Sequence, residues 1–493
     1  MSANKLAIAR DTVLFSLSSF FSQGVSFFLA IFIRNTLGPE AMGVWALLQV
    51  VLSYITYTNL GVMSAVCREI PVLRGQKADE TQIRNLRDAG YSYLSIVAVA
   101  TCIGLSTAAF LLRGRISQVL VWGLVVAALM TMLERFVAYS VQVLYTEKKF
   151  ALVSSFRAYS AVVNAFLVLA LSWKWKLYGF YAATVLSFVF DWSYLKLRSG
   201  LTFHRTWRGA ETWRLIRVGV PITALAFATT FFNSMDRVSI GKFLGLRELG
   251  VYTLALMAGR YVFLLPNMFQ VVLLPTTLEK FGDADDAGRR KYSTLPGRLM
   301  VLYFSLFLGF IWIASPFFCR LLLPKYVGGL PALRFLIYAY AFMALSQQMG
   351  HVLFGYRRHL WMIPVALVFA GAFWLACRSL SPNGGITAIA AAMAAFQLVY
   401  YVIGSWFGLS KIYAPREIAA HIGFNVLPFA ASFAAVLALD RLYPGDTLLA
   451  VAVKCAVYAA AWIGLMAWLE RETGVFKILK ETFASWKLSR RTA

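Results

Sequence analysis

Charge is scarce in this sequence, and acid is scarcer than base. Only 14% of the residues are charged, and 22 Asp and Glu stand against 47 Lys and Arg. A soluble chain carries about 25% charged residues. With 60% hydrophobic residues besides, this composition excludes an ordinary soluble domain and places the chain in a membrane. The five cysteines (Cys67, Cys102, Cys319, Cys377 and Cys455) are scattered, without a CxxC pair, and the four histidines have no ligand spacing. That leaves no basis for a disulfide framework or a metal site. No Gly-rich Walker loop is present, so no ATPase is built in, and no nucleophile stands with a base. No cofactor is indicated and the chain does not read as an enzyme. The net charge of +25 is not that of a nucleic-acid binder, because no soluble stretch is long enough to form a basic domain. The positive-inside rule accounts for part of it, and an anionic lipid substrate would account for more.

What is abundant is apolar sequence. About fourteen runs of roughly 20 residues are each long enough to cross about 30 Å of hydrocarbon. The first, 13–33, is too long for a cleaved signal and lacks an A-x-A site, so it reads as a retained helix. The stretch 37–45 (LGPEAMGVW) has a twin at 244–252 (LGLRELGVY), displaced by 207 positions without a gap. Gly38 meets Gly245, Gly43 meets Gly250, Val44 meets Val251 and Trp45 meets Tyr252. Each copy joins two apolar runs and reads as a tight external turn, with glycine at the bend and an aromatic at the interface. Six apolar runs follow each start, so the pattern is an internal repeat. The repeat predicts parallel halves related by a twofold along the membrane normal.

Charge sets the orientation. With the N-terminus inside, the inner segments hold 30 Lys and Arg and the outer turns 11, which puts both termini in the cytoplasm. The spacing predicts charged inner loops at 67–89 and 276–298. It divides the chain into a six-helix lobe 1–195, a basic cytoplasmic linker 196–216, a second six-helix lobe 217–409, helices 13 and 14 over 410–469, and a basic amphipathic tail 470–493. The linker, with Trp207 and Trp213, reads either as a segment lying on anionic headgroups or as a solvated connection. The small residues Ala388, Ala391, Ala392 and Ala395 suit close helix packing.

The run Arg34 to Trp45 (RNTLGPEAMGVW) resembles the first external turn of polysaccharide flippases of the O-antigen and exopolysaccharide type. These belong to the multidrug/oligosaccharidyl-lipid/polysaccharide exporter superfamily. Asp236-Arg237, followed by Gly241, Phe243 and Leu249 to Tyr252, resembles their junction of helices seven and eight. Tyr326 to Leu336 and Asn383 to Ala390 resemble their turns into helices ten and twelve. The resemblance implies an all-α polytopic membrane protein of about 14 transmembrane helices, two six-helix lobes around a central cavity plus two extra C-terminal helices. It implies export of undecaprenyl-diphosphate-linked oligosaccharide across the bacterial inner (plasma) membrane. Its implied partners are membrane lipids, polysaccharide polymerase and other assembly-system proteins.

Such a substrate needs a cavity that hides the sugar and offers cations to the diphosphate. Removing the loop residues leaves six basic residues inside the runs: Arg135, Arg157, Arg237, Arg260, Arg334 and Lys454, with Glu134, Asp191 and Asp236 as acids at similar depth. Arg260 lies ten residues past Gly250, about 15 Å along the helix, without an acid at i±3 or i±4. It is the leading cavity candidate, the alternative being a pair with an acid on another helix. Arg135 and Arg157 fall at nearly matching depth, which allows either a Glu134–Arg157 bridge or a substrate contact. Asp236 and Arg237 read as a structural or gating pair. Arg334 and Lys454 lie where they could snorkel outward. Asn59, Asn233 and Gln270 could bond sugar hydroxyls, or bond between helices. Two other classes stay open: a membrane glycan polymerase or ligase, which would need a larger external loop, and a small-molecule antiporter of the same superfamily, which would favour a compact acidic site.

Overall fold

Backbone amides buried in hydrocarbon must be satisfied within their own segment, so the apolar runs fold as helices. The computed structural model describes residues 3–283, 286–356 and 358–473, and their side chains except at 3–16, 222, 265, 267–289, 291–292, 466 and 468–473. The helices are α1 (Ala3–Ile55), α2 (Val62–Gly75), α3 (Glu80–Leu112), α4 (Gln118–Thr146), α5 (Phe150–Arg198), α6 (Gly209–Phe243), α7 (Leu246–Asp283), α8 (Asp286–Leu322), α9 (Leu330–Gly355), α10 (Met362–Leu409), α11 (Pro415–Leu442) and α12 (Leu448–Thr473). Among the described residues there is no strand, and 9 helices are long and apolar enough to cross a membrane. Three of these each contain two of the expected runs, interrupted by one residue of positive φ: Gly38 in α1, Lys176 in α5 and Gly385 in α10. At Lys176 the chain folds back, since the backbone at Gly179 presses on the carbonyl of Leu171.

The structure corrects the expected inner loops. Of 67–89 only a turn at 76–79 is outside helix, and 276–298 is helical up to Asp283 and again from Asp286. Hydropathy marks where the bilayer ends, whereas a helix continues into water wherever its residues permit. The opposite happens at 42–66, read as one span. Its helix stops at Ile55, passes through a 3-10 turn (Thr56–Asn59) and the left-handed Leu60 and Gly61, and restarts at Val62. The tail beyond 473 lies outside the described residues.

The chain forms two compact units. The first comprises residues 1–253 and 366–378, the second 254–365 and 379–493. In the first unit the twin stretches pack directly on each other. Gly38 and Gly245, the paired bend positions, both have positive φ, +78° and +93°, the region open to glycine. A Cβ on Gly43 would meet the carbonyl of Leu246, and one on Gly250 would meet that of Pro39. Pro39 and Leu246 are themselves equivalent under the 207-residue shift. The contact is therefore reciprocal, as across a twofold, and both turns lie at one level. Arg34 adds a bond from Nη2 to the carbonyl of Thr253 at 3.0 Å. Tyr252 is fully buried rather than interfacial, and Trp45 packs edge-on against Phe180 with centroids 4.8 Å apart.

Further along this unit, Gly61 abuts Gly219 backbone to backbone, so the interrupted segment sits close against α6. On the far side of the break, α2 buries Val62, Val66, Ile70 and Leu73 with Ile83, Leu86 and Leu94 of α3, Tyr139 and Val143 of α4 and Leu215 of α6. The residues before α6 are stitched to this core. Phe203 stacks on Tyr91 (4.6 Å, 11°), the His204 amide donates to Asp88 Oδ1 (3.4 Å) and Arg87 Nη2 to the Thr202 carbonyl (3.3 Å). Residues 199–208 are thus an anchored strap; its Trp207 is exposed, as is Trp213 in the first turns of α6.

In the second unit, hydroxyls hold α11 and α12 to α8. Ser432 Oγ and Tyr458 OH both donate to the carbonyl of Ser305 (3.1 and 2.7 Å), and Trp462 Nε1 donates to Ser305 Oγ (3.0 Å). Tyr338 of α9 bonds Ser432 at 3.1 Å. Apolar helices gain little from burial against other helices in lipid, so such bonds and close packing carry their association.

Candidate functional site

The first unit sets five of the candidate residues, Asn59, Arg135, Asn233, Asp236 and Arg237, on or beside the interrupted second span and α6. Stopping a helix at Ile55 leaves carbonyls without amide partners. Arg135, buried on α4, answers this: its Nη2 donates to the Ile55 carbonyl (2.7 Å) and to Thr58 Oγ1 (2.6 Å). Asn59 works from the other side, its Oδ1 accepting from the Gly61 amide at 2.8 Å. Both side chains therefore hold the break in shape. No sequence signal marked this role, since the segment contains no proline and the partner lies on another helix.

At the same break, Tyr54 OH, one residue before Ile55, bonds Ser234 Oγ of α6, and Tyr57 OH, inside the 3-10 turn, bonds Thr230 Oγ1 of α6, each at 2.5 Å. Phe227 and Phe231 line the same seam, 6.1 and 5.8 Å from the Tyr54 ring. Next to it Asp236 is 2% exposed. Its Oδ2 accepts from Tyr252 OH (2.9 Å) and its Oδ1 from the Arg237 amide (2.7 Å) and Arg237 Nε (3.3 Å). Arg237 Nη2 donates to the Asn233 carbonyl at 2.9 Å. The pair expected at 236–237 is therefore formed, and it is tied to the second twin turn through Tyr252.

Arg157 of α5 reaches α1 and α4, donating to Ser19 Oγ (3.1 Å) and Tyr145 OH (2.8 Å), while Ser22 Oγ donates to the Arg157 carbonyl (3.2 Å). Glu134 forms no ion pair among the described residues, so the Glu134–Arg157 bridge is not made.

In the second unit Arg260 lies on α7, one residue after Gly259, whose backbone presses on the Tyr340 ring. Arg260 itself is exposed and forms no ion pair among the described residues. The side chain of Gln270 lies outside the described residues. Arg334 and Lys454 share one carboxylate. Lys454 is 3% exposed and its Nζ donates to Asp440 Oδ1 at 3.0 Å, while Arg334 Nη2 reaches Asp440 Oδ2 at 2.9 Å and covers the Trp312 ring at 4.9 Å. Trp312 Nε1 bonds the same carboxylate at 2.9 Å. Asp440 stands two residues before the end of α11, and sharing its carboxylate offsets the cost of burying Lys454. The sequence reading overlooked Asp440, which sits beside the loop-end Arg441 and reads there as a surface residue. No group of three or more His, Cys, Asp or Glu among the described residues could hold a metal ion.

Comparison with known proteins agrees with this architecture. The family model described as "Polysaccharide biosynthesis protein" matches residues 14–327. No curated protein matches. Among solved structures, the lipid II flippase MurJ in an inward closed conformation is similar, with a TM-score of 0.69 and 14% identity over 93% of this chain and 99% of that one. An inward-facing multidrug resistance MATE family transporter of the MOP superfamily gives 0.68 and 15%, over 78% and 94%. A MOP superfamily transporter from Pyrococcus furiosus gives 0.59 and 14%, over 82% and 95%. At these identities the likeness is one of fold.

Proposed function

Because the chain belongs to the polysaccharide biosynthesis protein family, we propose that it is a flippase. It moves undecaprenyl-diphosphate-linked oligosaccharide units from the inner to the outer leaflet of the bacterial inner membrane, by alternating access, for surface polysaccharide synthesis. The fold supports transport, since it is shared with transporters and a lipid II flippase. The reading keeps 1–195 and 217–409 as the two lobes, both termini in the cytoplasm, and polysaccharide polymerase among the partners.

The observation that carries the substrate class is Arg260. A guanidinium facing hydrocarbon at mid-span costs at least a few kcal/mol. An exposed Arg260 without an ion-pair partner among the described residues is therefore accounted for by a wet pathway, where it meets an anion. A diphosphate offers that anion, and the planar guanidinium fork matches phosphate oxygens. Arg157 adds positive charge inside the first unit, bonded to hydroxyls in the contacts described above, while the charge of Arg237 is paired with Asp236. Arg135, Asn59 and Asn233 then shape the pathway wall, with Glu134 and Asp236 as its acids.

Reconstituted protein tests the proposal. Proteoliposomes holding a fluorescent undecaprenyl-diphosphate oligosaccharide in both leaflets should show it move between leaflets faster than protein-free vesicles, as read by dithionite quenching. A cationic dye should not accumulate. Dye transport without lipid translocation would replace the flippase with a small-molecule antiporter.

A further inference from the structure

The strap 199–208 does more than connect helices. Against the flank of α3 it closes a groove of about 480 Å³, within the range of about 300–1,000 Å³ typical of small-molecule sites. One wall is a stripe of Ile96, Val99, Ala100 and Ile103, at helical spacing and all exposed; the other carries Arg205 and Trp207. We propose that this groove binds one anionic phospholipid of the cytoplasmic leaflet, its phosphate on Arg205 and one acyl chain along the stripe.

Every membrane-facing helix shows apolar side chains to lipid, so the stripe alone would mean nothing. Here the strap overhangs the stripe and makes a concavity, and the two ends of that concavity differ in chemistry. The apolar part runs about 10 Å from Ile96 to Ile103, most of one leaflet's share of a hydrocarbon core about 30 Å thick. At its polar end Arg205 is exposed, and no carboxylate pairs with it among the described residues. Trp207 is 63% exposed, with an indole suited to the headgroup level. The basic inner segments put this end on the cytoplasmic side, where anionic lipids are drawn to Lys and Arg.

The strap is also fixed in place, which gives the groove a lasting shape. Ser92 Oγ lies 3.5 Å from the His204 carbonyl, the His204 amide bonds Asp88, and Phe203 is held between Tyr91 and Tyr139. The only acid in these contacts, Asp88, is buried and directed at the strap backbone, leaving the guanidinium of Arg205 to an outside anion. A single guanidinium matches the single charge of a phosphodiester, which favours a phospholipid over the diphosphate-linked substrate.

Photolabelling of the full-length protein in nanodiscs tests this. A phosphatidylglycerol with a diazirine in its acyl chain should label the 92–103 segment several-fold more than the matching phosphatidylcholine. Arg205→Ala should lower that labelling about fivefold, the size expected for one basic residue near a charged interface, and Arg205→Lys should keep most of it. Ala100→Trp fills the groove without touching the strap and should abolish the labelling, so the test stays decisive should Arg205→Ala disturb folding. Equal labelling by both headgroups, or labelling unchanged in Ala100→Trp, overturns the proposal. So does stronger competition by undecaprenyl diphosphate than by unlabelled phosphatidylglycerol, which would make the groove a substrate-tail site.

Discussion

Replacing Gly250 by alanine pushes a methyl group into the Pro39 carbonyl, and replacing Gly43 pushes one into the Leu246 carbonyl. Both separations fall under 3.0 Å, which real Cβ atoms essentially never show. The Gly250 methyl would also lie 2.9 Å from Pro39 Cα, and the Gly43 methyl 2.8 Å from Leu246 C and 3.1 Å from the Gly250 amide. All the obstructing atoms are backbone, so no rotamer can relieve the clash and the two turns must part. Overpacking costs about 1–3 kcal/mol. With rigid backbone on both sides the upper figure applies, and each single substitution should cost about 3 kcal/mol. Because one methyl already parts the same two segments, the second finds room. The double variant should cost clearly less than the sum of the singles. Thermal unfolding of detergent-purified protein, followed by fluorescence-detected size exclusion, reads both quantities. Gly24→Ala is the control, since a Cβ there meets nothing within 4 Å, and it should be neutral or slightly stabilising. An unchanged melting temperature in Gly250→Ala, or strict additivity in the double variant, would refute the reciprocal contact.

Arg135→Ala should lower protein abundance, because it removes the guanidinium that bonds both the Ile55 carbonyl and Thr58 Oγ1 at the helix break and leaves that carbonyl to Thr58 Oγ1; Arg135→Lys should recover part, and full abundance in Arg135→Ala would contradict the capping role. Lys454→Met should cost a few kcal/mol of thermal stability by removing one of the cations from Asp440. Combining it with Asp440→Asn should cost less than the sum of the two single changes. Reporter fusions in 441–446 should be active outside and fusions at Ala493 inside; an externally active tail reporter would contradict the orientation drawn from charge.

The twin turns were legible because close backbone approach in a membrane demands glycine, and glycine at Gly43 and Gly250 leaves its mark in the sequence. The helices were legible because hydrocarbon demands apolar runs of set length. Helix ends were not, since water accepts a helix as readily as a loop, as at 67–89 and 276–298. The break at 56–61 was hidden because it depends on Arg135 from another helix, and Asn59 looks the same whether it bonds a sugar or the Gly61 amide. Lys454 was legible only in part for a related reason: hydropathy gives its depth, and its partner Asp440 lies on another helix. The pair at Asp236 and Arg237 was legible through adjacency alone, while Tyr252, which completes it, stood in the sequence only as an interfacial aromatic.

The claim that a mid-span cation guides an anionic lipid-linked sugar is tested most directly at Arg260. Surface polysaccharide and protein abundance should be measured together in Arg260→Ala and Arg260→Lys. The account predicts normal abundance in both, loss of export in Arg260→Ala and partial export in Arg260→Lys, which keeps the charge but loses the fork. Normal export from well-expressed Arg260→Ala would contradict it.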